Sequence, residues 1–212
     1  MTSFEFRQCL NLDCGLRFPI DLTIYRGEYC PRCGGILEKV AGSYQQQTLQ
    51  RQQGNVRFSI LLDNLRSVYN VGAIFRTADG VGVDHLYLGG ITPNPEDNAA
   101  IGKTALGAEK EVSWSAHPNA VTLATDLREK GCRLLALEGT SNAVPIDQFQ
   151  RGASSERPVL LIVGNEQAGV DPGLLELCET VLALPMAGHK ASLNVAVAFG
   201  IAAYWLILGD HV

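Results

Sequence analysis

The chain has 212 residues, 46% of them hydrophobic and 18% charged, enough apolar material for one medium domain plus a small module. Its net charge of −5 excludes a protein that grips nucleic acid everywhere by bulk charge. No basic-then-apolar leader opens at Met1 and the apolar segment Leu193 to Leu208 is short for a membrane span, so a soluble, cytoplasmic protein with no membrane partner is expected.

Residues 1–42 read as a zinc ribbon. Four of the six cysteines fall here, as Cys9-x4-Cys14 and Cys30-x2-Cys33. Two close pairs suit a tetrahedral ion, because each pair forms one knuckle and the hairpin between them brings the knuckles together. In Cys30-Pro31-Arg32-Cys33-Gly34-Gly35 the glycines let backbone N–H groups turn back towards sulfur. The predicted ligands are Cys9, Cys14, Cys30 and Cys33, and four thiolates leave no open position for hydrolysis. So short a segment buries too little apolar area to fold alone, so the metal is expected to supply its folding free energy. The alternative, disulfides, is disfavoured without a secretory signal. The ribbon could present Arg7, Arg17, Arg26 and Arg32 to a ligand such as RNA. Cys132 and Cys178 read as small core residues.

Residues 43–57 are glutamine-rich, lack apolar periodicity and read as a linker or a solvated connecting helix. Across residues 43–79, Arg51, Arg57, Arg66 and Arg76 are set against only Asp63 and Asp79, whereas residues 80–212 carry eight basic and fifteen acidic side chains. Contact with a polyanion is expected at the arginine-bearing stretch; the alternative is a solvated segment with scattered arginines.

Residues 58–212 alternate short apolar runs with helical patterns. Phe58 to Leu62, His85 to Leu88, Arg133 to Leu137, Val159 to Val163 and Val181 to Leu184 are predicted strands. Val71 to Asp79, Pro118 to Lys130, Pro172 to Cys178 and Leu193 to Leu208 are predicted helices. Strands this short and apolar indicate an α/β fold with a mainly parallel sheet covered on both faces. Ligands of such sheets bind beyond the carboxyl ends of the strands, which directs attention to the loops after Leu137, Val163 and Leu184. All three are small, glycine-bearing and poor in cations, suited to a heterocycle held by backbone groups and ill suited to a triphosphate. Gly164 to Gly169 has the spacing of a P-loop, but Val170-Asp171 stands where Lys-Ser/Thr would hold phosphate and magnesium, and no GxGxxG follows a strand.

Within the first predicted helix Val71, Ile74, Phe75 and Ala78 form a buried stripe, and Asn70 is placed to cap it. Arg76 lies off the stripe, among Gly72, Ala73 and Gly80, where a long cation stays accessible; the alternative is a pair with Asp79. Near the other end, Pro185 closes an apolar run, Met186 to Ser192 form a small polar loop, and Ser192 is placed to cap the last helix. Asn194 is read as the only polar side chain among the sixteen helical candidates from Leu193 to Leu208, so the helix is expected to be buried all round, in the core or against a partner.

Three segments together resemble the SpoU/TrmH branch of the SPOUT RNA methyltransferases. They are Asn70-x-Gly72-x3-Arg76, Gly164-x-Glu166-x2-Gly169, and Pro185-Met186 through Ser192-Leu193-Asn194-Val195. Thr104, Gly107 and Ala108 in the Gly102 to Trp114 stretch resemble the family's connecting segment. The resemblance covers about residues 58 to 210. It implies a C-terminal trefoil knot, an exception to the usual absence of knots, whose loops bind S-adenosylmethionine in a bent shape. Carried over, the cofactor pocket falls at Leu137, Gly139, Gly164, Leu184, Ser192 and Leu193. The family is dimeric, with the active site at the subunit interface; here Ala196, Gly200 and Ala203 offer a thin face to another helix. Its members methylate the ribose 2′-hydroxyl of tRNA or rRNA. The implied catalytic set is Arg76 beside the hydroxyl, supported by Asn70, Glu166, Ser192 and Asn194. The alternatives are a non-catalytic RNA-binding assembly factor and a SPOUT enzyme that methylates a base nitrogen.

Overall fold

A computed structural model of the chain describes residues 4–43, 57–150 and 157–208; the glutamine-rich stretch and Arg51 lie outside them. The chain divides into two compact units, Met1–Gln52 and Gln53–Val212. No helix among the described residues is long and apolar enough to cross a membrane.

In the first unit β1 (Phe4–Cys9) pairs antiparallel with β2 (Arg17–Asp21) on one side and β3 (Leu37–Gly42) on the other. Among the described residues its buried core is Cys9, Ile20, Cys30 and Leu37, so half of it is cysteine. Glu5 is buried and pairs with Lys39, at 3.0 Å, and with Arg7. Those two cations, Lys39 foremost, hold its carboxyl below the ordinary value against the cost of burial. Arg7 is therefore engaged inside the ribbon, and of the four arginines named for RNA only Arg17, Arg26 and Arg32 are exposed.

The second unit runs β4 (Phe58–Asp63), α1 (Val68–Val81), β5 (His85–Gly89), α2 (Gly102–Ala105), α3 (Ala108–Glu111), β6 (Trp114–His117), α4 (Ala120–Glu129), β7 (Arg133–Leu137), β8 (Val144–Pro145), β9 (Val159–Val163), α5 (Pro172–Leu177), β10 (Thr180–Ala183) and α6 (Val195–Leu208). The strands form one seven-stranded sheet in the order β6-β5-β4-β9-β7-β10-β8, every neighbouring pair parallel. Alternation along each central strand sends side chains to opposite faces. Phe58, Ile60, Leu62, Leu161 and Leu135 join the core with α1 and α6, while Leu61, Leu160, Ile162 and Leu134 join the one with α4 and α5. Both faces are thus covered, which is why these strands read as unbroken apolar runs.

Several local expectations are corrected. The N-cap of α1 is Ser67, whose hydroxyl accepts from the Asn70 backbone N–H at 3.2 Å, so the helix starts earlier and Asn70 lies in its first turn. The cap of α6 is Asn194 rather than Ser192: its Oδ1 accepts from Ala196 N–H at 2.9 Å and Val197 N–H at 3.4 Å. Gly72 does not clear space around Arg76. It is buried, and a Cβ there would come within 2.4 Å of the Ile101 carbonyl, so it lets the 101–105 segment pack against α1. The thin face of α6 also turns inward: Ala203 is fully buried and a Cβ at Gly200 would meet Thr77 of α1 at 3.6 Å. Nor is α6 buried all round, since Val197, Ile201, Tyr204 and Trp205 are exposed.

One feature of the sheet bears on the site. β10 lies between β7 and β8, with Leu182 in register with Leu137 on one side and Val144 on the other. Residues 138–143 therefore bridge the mouth of β10, fastened by Glu138 N–H to Leu182 carbonyl at 2.9 Å.

Candidate cofactor pocket and its polar frame

The loops after β7, β9 and β10, three adjacent strands, surround a cavity of about 400 Å³. All six residues expected to hold a cofactor, Leu137, Gly139, Gly164, Leu184, Ser192 and Leu193, line it, together with Glu166 and Asn194. Among the described residues its only ionisable lining side chains are Glu138 and Glu166, with no lysine, arginine or histidine. A second cavity of similar volume, lined by Glu96, Asn98, Glu109 and Lys110 among others, draws on none of these loops.

The loop after β9 closes on itself. Asn165 and Gly169 exchange backbone hydrogen bonds at 3.0 and 2.9 Å, while the Asn165 side chain accepts from Gln167 N–H and Ala168 N–H. A Cβ on Gly164 would lie 2.3 Å from the Gly169 carbonyl carbon and from the Val170 nitrogen, so only glycine permits this crossing. The tight turn leaves the Glu166 side chain projecting towards α1.

There Glu166 gathers the free N–H groups ahead of the helix. Its Oε2 accepts from Arg66 N–H at 3.1 Å, and its Oε1 accepts from Ser67 N–H and Asn70 Nδ2, each at 3.1 Å. Burial pushes the carboxyl up, but backbone N–H groups, including its own, and the Asn70 amide outweigh it and hold the carboxyl below the ordinary 4.5. Asn70 in turn accepts from Asn194 Nδ2 at 3.1 Å. One chain of hydrogen bonds thus runs from the β9 loop through α1 to the cap of α6.

The remaining expected site residues stand outside this frame. Ser192 is exposed on the pocket wall with no hydrogen bond to a described residue. Arg76 is exposed on α1, does not line the pocket and forms neither the ion pair with Asp79 nor any hydrogen bond to a described residue.

Sequence reasoning passed over several structural contributors, Asp63 behind the pocket and Glu138 on its wall. Asp63, at the end of β4 and only 2% exposed, accepts from Asp171 N–H at 2.9 Å and Asn64 Nδ2 at 2.7 Å. Burial pushes its carboxyl up. Asn165 Nδ2 donates to the Asn64 carbonyl at 2.6 Å, tying the β4 and β9 loops together. Glu138 accepts from Gly139 N–H and Val170 N–H, each at 2.9 Å, joining the β7 loop to the end of the β9 loop. An acidic residue at the end of an apolar strand was the available signal for both carboxylates.

In the first unit the Sγ atoms of Cys9, Cys14, Cys30 and Cys33 all lie within 4.8 Å of one another, among them Cys9 to Cys33 at 3.5 Å and Cys14 to Cys30 at 3.8 Å. Thiolates about 2.3 Å from a tetrahedral ion would be roughly 3.8 Å apart, so the set can hold one. A Cβ on Gly35 would lie 3.0 Å from Cys9 Sγ and 3.3 Å from Cys33 Sγ. The Gly35 N–H, foremost among several donors, brings the Cys33 thiol down to about 7, while burial pushes the Cys9 thiol beside it up to about 12.

Comparison with known proteins agrees with this geometry. The family model described as "SpoU rRNA Methylase family" matches residues 57–204. The 23S rRNA (guanosine-2'-O-)-methyltransferase RlmB of Shewanella oneidensis is 32% identical over 149 residues, which are 68% of this chain but only 56% of that protein. The tRNA (guanosine(18)-2'-O)-methyltransferase of Aquifex aeolicus is 31% identical over 176 residues, 80% of this chain and 76% of that one. The AdoMet-bound rRNA methyltransferase of Sinorhizobium meliloti superposes with a TM-score of 0.64 at 25% identity, over 86% of this chain and 66% of the other.

Proposed function

The chain belongs to the SpoU rRNA methylase family, and from that premise we propose that it transfers a methyl group from S-adenosylmethionine to a ribose 2′-hydroxyl of tRNA or rRNA. The observation that carries this reading is the hydrogen-bond chain Glu166–Asn70–Asn194, which fastens the helix bearing Arg76 to two walls of the pocket. A pocket with two carboxylates and no cation among its described residues, walled by glycine-bearing loops, fits a heterocycle joined to a sulfonium. Bound there, S-adenosylmethionine supplies a methyl group on positively charged sulfur.

The chain's own residues have to orient a weak oxygen nucleophile and steady its developing charge. Arg76 stays protonated, so it acts as the cation beside the forming alkoxide and not as a base. Its freedom from ion pairs with described residues leaves that charge available. Glu166 accepts three hydrogen bonds and holds the frame, which makes it a positioning residue and a poor proton acceptor. Ser192, unengaged on the pocket wall, is free to relay the proton to water or phosphate.

Because Arg76 does not line its own chain's pocket, the reading includes a homodimer in which the subunits complete each site. The exposed apolar stripe Val197, Ile201, Tyr204 and Trp205 on α6 suits such an interface. It also includes the trefoil knot, with the segment after β10 threading past the 138–143 bridge; the position of β10 between β7 and β8 supports this. The four cysteines hold a structural zinc, the ribbon with Arg17, Arg26 and Arg32 helps hold RNA, and a cytoplasmic location fits these substrates.

The test is to incubate the protein with S-adenosylmethionine and unmodified tRNA and rRNA transcripts and map the product. An alkali-resistant linkage at one nucleotide is the expected result. Methyl on a base would make it a base-nitrogen enzyme, and RNA binding without transfer to cellular RNA would make it an assembly factor.

A further inference from the structure

The pocket's two carboxylates are placed differently. Glu166 turns towards α1, where three donors hold it. Glu138 stays at the junction of the β7 and β9 loops, one oxygen on Gly139 N–H and the other on Val170 N–H, both 2.9 Å. No cationic side chain among the described residues lines the cavity to neutralise it. Its position is tightly set, since a Cβ on Gly169 would lie 2.6 Å from Glu138 Oε2. Two backbone hydrogen bonds fix a carboxylate but leave its net charge, and that charge acts on whatever fills the cavity.

The proposed reaction changes the charge of the occupant. Transfer breaks the S–CH3 bond with its electron pair left on sulfur, forms O–CH3 and releases the hydroxyl proton. The occupant therefore loses one positive charge each turnover.

Resting on the cofactor reading above, we infer that Glu138 is a specificity-determining residue whose negative charge makes the pocket favour the sulfonium cofactor over its thioether product. The same residue clamps two loops, but a clamp alone acts equally on both ligands, whereas a charge acts on their difference. The consequence for turnover is relief of product inhibition, because the spent cofactor is the form the pocket holds less well.

The experiment is calorimetric titration of the full chain and of Glu138→Gln with S-adenosylmethionine, S-adenosylhomocysteine and an analogue carrying a protonated amine in place of the sulfonium. Glutamine is isosteric and keeps one acceptor, and a thermal melt alongside reports its fold. The affinity ratio of sulfonium cofactor to thioether product is expected to fall roughly tenfold in the variant, the scale of one charge acting across a few ångströms of partly screened protein. On the unaltered protein, the amine analogue is expected to follow the sulfonium. Equal weakening of both natural ligands would show a clamp only, and an analogue that binds no better than the thioether would show a pocket blind to charge; either result overturns the inference. Failure of the unaltered protein to bind any of the three would instead overturn the cofactor reading itself.

Discussion

The ribbon and the parallel-sheet unit solve the problem of folding by opposite means. The ribbon buries four core residues, two of them cysteines, while the larger unit fills both faces of a seven-stranded sheet with aliphatic side chains. In the first unit, the proposed zinc site would hold the fold. In the larger unit the apolar core does that, and polar side chains at the strand ends are left to build a site. Removing the proposed zinc should break this contrast most sharply, because a structural zinc is worth about 10–16 kcal/mol to such a module. Chelation followed by hydrogen exchange, read peptide by peptide, is expected to abolish protection across residues 4–43 and leave the β4, β7 and β9 peptides unchanged. Comparable loss in both units would mean that the larger one also depends on the ion.

Inside the larger unit the contrast recurs between bound and free polar groups. Asn70, Glu166 and Asn194 are committed to one another, whereas Arg76 has no partner among the described residues. Arg76→Ala should therefore leave the pocket intact and remove only charge stabilisation, lowering the methyl-transfer rate about 10²- to 10³-fold. Cofactor affinity, titrated in parallel, should stay within error of the unaltered protein. A matching collapse of affinity would place Arg76 in the pocket's structure and not in its chemistry.

This division also explains what the sequence disclosed. Val159 to Val163 and Arg133 to Leu137 were legible to the residue because strands buried on both faces tolerate almost nothing polar. β6 was not: Trp-Ser-Ala-His is an edge strand whose Ser115 bonds both His85 and His117 at 2.8 Å, so it carries no apolar run. The caps failed for a different reason. Asn64, Ser67 and Asn70 are all cap-type residues, and the choice is settled by Glu166, about a hundred positions away, which draws the Asn70 side chain to itself. Ser192 and Asn194 posed the same ambiguity, and the tie from Asn194 to Asn70 resolves it. The three loops around the cavity were legible because glycine-bearing loops at strand ends are a local signal, whereas the individual residues expected to hold a cofactor came from the family resemblance. Glu138 acts through Val170, a contact that no local pattern announces.

A smaller effect separates the two duties of Asn194. Asn194→Ala removes both the cap and the tie to Asn70, and should cost about 1–2 kcal/mol of stability with a loss of transfer rate. Asn194→Asp keeps an acceptor for Ala196 N–H but replaces the donor to Asn70 with an oxygen facing an oxygen. Its stability, from denaturant titration, should stay close to that of the unaltered protein while its rate falls with that of the alanine variant. If the aspartate variant kept full activity, the tie would be incidental to catalysis.

The smallest effect is the pH dependence of the frame. The Glu166 carboxyl lies below 4.5 in the fold, so the stability it contributes is fully present above that value and is lost as pH falls through its lower, folded value. Because the side chain is exposed, the contribution should be under about 1 kcal/mol. Asp63 works in the other direction: burial raises its carboxyl, so acid relieves a cost that the fold carries at neutral pH. The two partly cancel in the acid limb of the unaltered protein, and a single unfolding curve would hide both. Subtracting the Glu166→Gln curve isolates one of them. The difference should be constant from pH 7 down to about 5 and shrink towards zero below about 4. A difference that grew in acid would mean that Glu166 is held protonated, and its part as the fixed anion between the β9 loop and α1 would have to be abandoned.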